Sequence, residues 1–89
     1  VPGSPVLTVR GTFAETVLLE TVVLSVLNYD TAVATAASRM VTAADGHPIA
    51  EMGSRRANES AAVAAARAAY IAGFSATSNL DAGRAWGIP

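Results

Sequence analysis

The chain has 89 residues, 52% of them hydrophobic, with no cysteine and a formal net charge of −1. This length supports one small domain, whose core lies near the lower limit for independent stability. The near-neutral charge gives no electrostatic reason to bind nucleic acid or an anionic membrane, and we expect neither as a partner. The lack of cysteine excludes disulfides and thiolate metal sites and is compatible with the cytoplasm, the location that we expect.

The longest apolar stretch, Val17 to Leu27, contains three polar residues. It is shorter than the roughly 20 apolar residues that a bilayer-spanning helix needs. No cationic segment followed by an apolar core opens the chain, so no secretory signal is predicted. The chain starts at Val1 without methionine and stops at Ile88-Pro89, where a new strand is expected, so we interpret both ends as cut.

The first half predicts one strand followed by a long helical segment. Val6 to Phe13 is rich in β-branched residues and alternates in part, which favours a strand. Glu15 to Ala44 carries the apolar spacing of a helix, and Gly46 and Pro48 are its stop signals. Because Asn, Asp and Thr favour N-cap positions, a break or a kink is predicted near Asn28 to Thr31.

The second half predicts strand, helix, strand, helix, the spacing of βα units in a parallel sheet. In chain order, these elements are Ile49 to Ser54, a helix capped near Asn58 and running to about Ala72, Phe74 to Ser78, and a short helix capped by Asn79 or Asp81 that runs through Trp86. The first of these helices is alanine-rich and has little side-chain area of its own to bury. It therefore needs the larger neighbours that a βα barrel or a doubly wound sheet supplies.

Two short segments follow the predicted strands, where ligands gather in parallel βα architectures. Gly53 to Arg56 offers a glycine for close backbone approach and guanidinium groups that match carboxylate or phosphate. Ala76 to Asn79 offers hydroxyls and the amides of the next helix. Such clusters are more often surface groups, turns and caps, so the pattern alone favours a structural role. His47 is the only histidine and reads as a solvated turn residue, so no metal site is predicted.

Seven distinctive segments are distributed along the chain from Leu18 to its last residue: Leu18 to Thr21, Leu24 to Thr31, Ala34-Thr35, Glu51 to Arg56, Ala65 to Phe74, Thr77 to Asn79, and Gly87 to Pro89. In this order and at this spacing they resemble the nicotinate phosphoribosyltransferase family. The resemblance implies an α/β fold, part of an irregular βα barrel preceded by a strand and a long helical segment from an open α/β domain. Residues 1–46 would belong to the N-terminal region, and residues 47–89 would form the first βα units of the barrel.

The resemblance also implies a reaction of NAD salvage. Nicotinate and phosphoribosyl pyrophosphate give nicotinate mononucleotide, with ATP hydrolysis coupled through a phosphorylated histidine and with Mg²⁺ accompanying the pyrophosphate. It further implies a homodimer. The phosphorylated histidine is expected beyond Pro89, and His47 does not match it. The 89 residues alone are therefore expected to be inactive and to contain no catalytic residue.

Four substrate-binding residues are implied by the resemblance. Arg55 matches the arginine of the pyridine and phosphoribosyl pocket, and Arg56 accompanies it as a supporting or phosphate contact. Thr77 and Ser78 match the hydroxyl pair that lines the pyridine site. Related nicotinamide-using enzymes tend to carry aspartate where Ser78 stands, so Ser78 favours nicotinate.

Two other interpretations stay open from the sequence. One is a segment of a nicotinamide or quinolinate phosphoribosyltransferase. The other is a non-enzymatic helical interaction module that binds a partner through the apolar face of Val17 to Leu27. The module predicts a stably folded unit, whereas a segment of an enzyme predicts apolar faces that lack partners when the chain is alone.

Overall fold

The computed structural model covers residues 1–89 and contains three helices and a two-stranded parallel sheet. In chain order, the elements are α1 (Phe13–Ala44), β1 (Ala50–Glu51), a 3-10 turn (Gly53–Arg56), α2 (Glu59–Ile71), β2 (Ala76–Thr77) and α3 (Leu80–Trp86). Ala50 pairs with Ala76 and Glu51 with Thr77. The strand, helix, strand, helix order predicted for the second half is confirmed, and so is the parallel pairing. Both strands are short because each has only the other as a ladder partner.

The strand predicted over Val6 to Phe13 is wrong. Residues 5–11 form no regular element, and Phe13 already belongs to α1. β-branched residues favour extended backbone, but a strand persists only where a neighbour satisfies its N–H and C=O groups. Neither β1 nor β2 pairs with this segment. Of the two elements predicted for residues 1–46, only the helical segment is present.

A capping box starts α1. The Glu15 N–H donates to the Thr12 hydroxyl oxygen at 3.4 Å, and the Glu15 carboxylate accepts from the Thr12 hydroxyl at 2.9 Å and from the Thr12 N–H at 3.2 Å. The hydrogen bond from the Thr12 side chain, and after it the one from the Thr12 backbone, lowers the pKa of Glu15 below its ordinary value of 4.5. Both bonds favour the ionised carboxylate.

This cap makes the start of α1 sensitive to acid. A carboxyl whose pKa is lower in the folded state stabilises the fold fully above its unfolded pKa, and that contribution is lost as the pH falls through the folded pKa. We therefore expect the helical circular dichroism signal to decline below pH 4.5, with a smaller acid-dependent change in Thr12→Ala. Thr16→Ala is the matched control, because Thr16 donates only to backbone carbonyls of the same turn. Identical acid transitions in all three proteins would contradict this role of the cap.

The break predicted near Asn28 to Thr31 is also wrong, since α1, a single helix of 32 residues, continues through this stretch. The alternative of a kink stays a prediction. The polar side chains of this stretch contact other helices instead of capping a new one. The Tyr29 hydroxyl donates to the Ala61 carbonyl oxygen at 3.2 Å, and Asp30 forms an ion pair with Arg67 of α2. The Arg67 guanidinium also lies 5.1 Å from the ring centroid of Trp86 in α3. One arginine thereby links all three helices through a charge pair and a cation–π contact.

The ends of α2 and α3 agree with the sequence prediction. Asn58 and Asn79 are the N-caps, and each side-chain oxygen accepts a backbone N–H three residues on, at 2.9 Å. Gly73 follows α2 with φ of 114°, and Gly87 ends α3 with φ of 64°, values that L side chains rarely adopt. Because Asn79 is the N-cap of α3 and Asp81 lies within its first turn, the alternative cap by Asp81 is ruled out.

The core is small, because only 8 of 89 residues are buried, and it is alanine-rich, because six of these eight are alanines. Its centre is a cluster of Ala66, Ala82 and Ile88, against which Val63 packs. Small side chains let α2 approach its neighbours closely but bury little apolar area. Eighteen large apolar residues therefore stay exposed, and eight of them lie on the first half of α1: Phe13, Val17, Leu18, Leu19, Val22, Leu24, Val26 and Leu27.

Helix α1 is long and apolar enough, by length and composition, to cross a membrane. The argument that the apolar stretch is too short applies to Val17 to Leu27 but not to the whole helix. Core helices of larger soluble proteins have the same composition, so this finding is weak evidence for a membrane span. The absence of a membrane partner stays a prediction.

Candidate functional site

The carboxyl ends of β1 and β2 lie side by side. The Ser78 N–H donates to the Glu51 carbonyl oxygen at 2.9 Å, which continues the contact beyond the last paired residues. The Thr77 N–H donates to the Pro89 carbonyl oxygen at 2.8 Å, so the segment after α3 reaches the same strand. The 3-10 turn after β1 and the N-terminus of α3 after β2 therefore lie at one edge of the sheet.

An open cleft at this edge is lined by four residues: Met52, Ser54, Arg55 and Ser78. Arg55 and Ser78 come from the segments that follow β1 and β2, and both side chains are exposed. The structure thus brings together the guanidinium and one hydroxyl that the sequence had singled out. A planar cation and a neutral donor in one cleft suit a carboxylate or phosphate oxygen.

The other two predicted substrate-binding residues have different surroundings. Arg56 is exposed outside this cleft, and its guanidinium donates to the Arg55 carbonyl oxygen at 3.5 Å. Thr77 is half-buried, and its hydroxyl donates to the Glu51 carboxylate at 2.8 Å. Neither is among the residues that line the cleft with Arg55 and Ser78.

Glu51 is the residue that sequence reasoning missed at this edge. It is the one buried charged or polar residue of the chain, with 9% of its surface exposed. Its two carboxylate oxygens accept from the Gly53 N–H and from the Thr77 hydroxyl. The signal in the sequence was a carboxylate at the end of a strand, two residues before a glycine. Such an acidic residue is expected to be exposed unless it is fully paired.

His47 does not join this site. It lies in the exposed turn after α1, where its N–H donates to the Ala44 carbonyl oxygen at 3.0 Å. This turn precedes β1 and is therefore at the amino end of the strand, whereas the cleft is at the carboxyl end. The prediction of a turn position for His47 is confirmed.

The residues of this chain offer no assembled ligand set for Mg²⁺ and no phosphate-binding loop for ATP, and both cofactors stay predictions. Mg²⁺ takes oxygen ligands, commonly one or two carboxylates together with substrate phosphates. No three histidine, aspartate or glutamate side chains come together, and both oxygens of Glu51 already accept protein hydrogen bonds. The glycines do not form the sequence pattern of a phosphate-binding loop.

Comparison with known proteins places the sequence among enzymes of one kind. The chain is 72% identical over 88 residues to nicotinate phosphoribosyltransferase pncB1 of Mycobacterium tuberculosis, a match that covers 99% of this chain and 20% of the relative. It is 44% identical over 88 residues to nicotinate phosphoribosyltransferase of Bacillus subtilis, covering 98% of the chain and 18% of the relative. It is 41% identical over 90 residues to nicotinate phosphoribosyltransferase 1 of Arabidopsis thaliana, covering 99% of the chain and 16% of the relative.

No family model matches the chain, and neither does any solved structure. The chain spans a fifth or less of the length of the three relatives described above, so it corresponds to one segment of them. The identity extends over nearly all of its residues and holds for bacterial and plant relatives alike. By sequence, therefore, the chain matches one segment of nicotinate phosphoribosyltransferases over nearly its whole length.

Proposed function

We propose that this chain supplies part of the substrate pocket of a nicotinate phosphoribosyltransferase, which joins nicotinate to the ribose carbon of phosphoribosyl pyrophosphate and releases pyrophosphate. The observation that carries the proposal is the cleft shared by Arg55 and Ser78 at the carboxyl ends of two parallel strands. Ligands of parallel βα folds bind at that edge. The names of the relatives give the substrate, nicotinate.

In this proposal Arg55 binds an anionic oxygen of the substrates, and Ser78 lines the pyridine. A guanidinium offers two parallel N–H groups to a carboxylate, so it can fix the orientation of an anionic ring. Orientation matters here because the pyridine nitrogen must meet the ribose carbon in line with the departing pyrophosphate. Arg56, exposed on the same turn, would meet a phosphate oxygen, and Thr77 would support the pocket through its hydrogen bond to Glu51.

The fold proposed for the complete enzyme is an irregular βα barrel. Support comes from the parallel pair β1 and β2, each followed by a helical element, and from the Pro89 carbonyl beside Thr77, where a further strand would begin. ATP, Mg²⁺ and the phosphorylated histidine would then belong to residues outside this chain. A cytoplasmic homodimer completes the proposal, and the exposed apolar side of α1 would be covered by the rest of the assembly.

A segment exchange tests this function. The matching segment of the Mycobacterium tuberculosis relative is replaced by these 89 residues, and formation of nicotinate mononucleotide is followed beside the unaltered enzyme. We expect kcat/KM for nicotinate to stay within about tenfold of the parent, because a pocket with the same groups preserves the transition-state contacts. Nicotinamide should be used poorly.

Two outcomes would count against the proposal. A chimera that folds, as judged by its melting transition and size, but does not turn over nicotinate would show that this segment does not supply the pocket. A chimera that prefers nicotinamide or quinolinate would place the chain with the related transferases instead.

A further inference from the structure

The buried carboxylate of Glu51 joins the two segments that form the cleft. One oxygen accepts from the Gly53 N–H at the start of the 3-10 turn that carries Arg55. The other accepts at 2.8 Å from the hydroxyl of Thr77, the residue before Ser78. A buried carboxylate is costly unless its oxygens are paired, and both are paired here. The two bonds connect the ends of neighbouring strands through one rigid group.

Gly53 leaves room for this arrangement, because the backbone passes very close to the carboxylate and a side chain there would displace it. A Cβ atom added at Gly53 would lie 2.7 Å from Glu51 Oε1, closer than carbon and oxygen can approach without a shift. The glycine is needed for space, since its φ is not in the left-handed region. The turn is therefore built around the Glu51 side chain.

The Thr77 hydroxyl has no hydrogen left for a ligand. It donates that hydrogen to Glu51, and its oxygen accepts the Asn79 N–H at 3.0 Å. The Asn79 side-chain amide in turn donates to the Ser54 hydroxyl at 3.2 Å, which returns to the 3-10 turn. These bonds form a closed network that runs from one side of the cleft to the other and back.

We infer that Glu51 is a positioning residue, whose carboxylate sets the spacing of Arg55 and Ser78, and that Thr77 acts through Glu51 instead of contacting the substrate. The expected effect on the kinetics rests on the proposed function, whereas the hydrogen bonds of Glu51 do not depend on it. Neither Glu51 nor Thr77 lines the cleft with Arg55 and Ser78. Small displacements matter at such a site, since a shift of about 1 Å can cost about a hundredfold in rate.

Single substitutions affect the network in different ways. Glu51→Gln removes the charge and turns an NH₂ group toward the Thr77 oxygen, so the charge-assisted bond that Thr77 donates is replaced by a weaker neutral bond in the opposite direction. Thr77→Val removes the donor without changing the shape, whereas Thr77→Ser keeps it. If Thr77 works only through Glu51, the first two substitutions break the same connection and their effects should not multiply.

The experiment is a double-mutant cycle in the segment-exchange enzyme described above. We expect Glu51→Gln and Thr77→Val each to raise KM for nicotinate by about tenfold or more, the double variant to differ little from either, and Thr77→Ser to stay near the unsubstituted value. KM is the decisive readout because a loss of folded enzyme lowers the apparent kcat and leaves KM unchanged. The matched controls, Glu20→Gln and Thr35→Val, are exposed positions on α1.

A damaging Thr77→Val combined with a harmless Glu51→Gln, or effects that multiply in the double variant, would overturn the inference, because Thr77 would then contact the substrate directly. Hydrogen exchange of the peptide covering residues 51–56 provides a readout that needs no activity. Glu51→Gln should accelerate exchange of this peptide, and Glu20→Gln should not. An inactive unsubstituted chimera counts against the proposed function only, and unchanged exchange in Glu51→Gln counts against the positioning role only.

Discussion

Replacing Arg55 by methionine in the segment-exchange enzyme should lower kcat/KM for nicotinate by about a hundredfold. Methionine keeps much of the side-chain length but cannot donate to an anionic oxygen. Hydrogen bonds to charged groups contribute about 1.5–3 kcal/mol, and about 1.4 kcal/mol corresponds to tenfold in rate. Steady-state kinetics with nicotinate and phosphoribosyl pyrophosphate varied in turn would measure the loss and show which substrate Arg55 contacts.

Two further arginine substitutions make this result specific. Arg55→Lys keeps the charge without the planar fork, so an intermediate loss of about tenfold is expected. Arg39→Met removes an exposed arginine of α1 that does not line the cleft, and it should leave the kinetics near those of the parent. Similar losses in Arg55→Met and Arg39→Met would remove Arg55 from the pocket.

Replacing Ser78 by aspartate should shift the substrate preference from nicotinate toward nicotinamide. The new carboxylate would repel the carboxylate of nicotinate and could accept from the amide of nicotinamide. Like charges brought together at an interface cost several kcal/mol, so we expect kcat/KM for nicotinate to fall by about a hundredfold or more. The ratio of kcat/KM values for the two substrates is the quantity to measure.

The control for this charge is Ser75→Asp. Ser75 is also exposed, but it lies before β2, at the amino end of the sheet, so the added charge should leave the ratio unchanged. Ser78→Ala removes only a neutral hydrogen bond and should cost no more than about tenfold. Nicotinate kinetics that are unaffected by Ser78→Asp would remove Ser78 from substrate selection.

Local signals predicted the second half of the chain well. Asn58 and Asn79 cap helices because an asparagine side chain satisfies backbone donors that the first helical turn leaves free. Gly73 and Gly87 follow helices because the chain leaves them with positive φ. These features depend on residues within four positions of one another, so the sequence contains all the information they need.

The predictions for the first half of the chain were wrong where contacts with distant residues determine the local structure. Val6 to Phe13 has strand propensity but no neighbouring strand, and propensity alone does not satisfy the backbone. Asp30 suits a helix start, yet it lies within α1, where Arg67 of α2 pairs with it and the neighbouring Tyr29 donates to the Ala61 carbonyl oxygen. The partners of these two residues lie more than 30 residues away in the chain, so no local sequence pattern predicts the contacts.

The sequence by itself determined the order of the second-half elements, the Asn58 cap and the resemblance to nicotinate phosphoribosyltransferases. Of the four site residues that it implied, two, Arg55 and Ser78, share a cleft. Only the tertiary structure decided that Glu51 is buried, that the Thr77 hydroxyl turns to Glu51, and that Arg67 joins three helices. The physical reason is the range of the interaction. Caps and turns are settled by neighbours in the chain, whereas the pairing of a buried charge depends on which donors the parallel strands bring beside it.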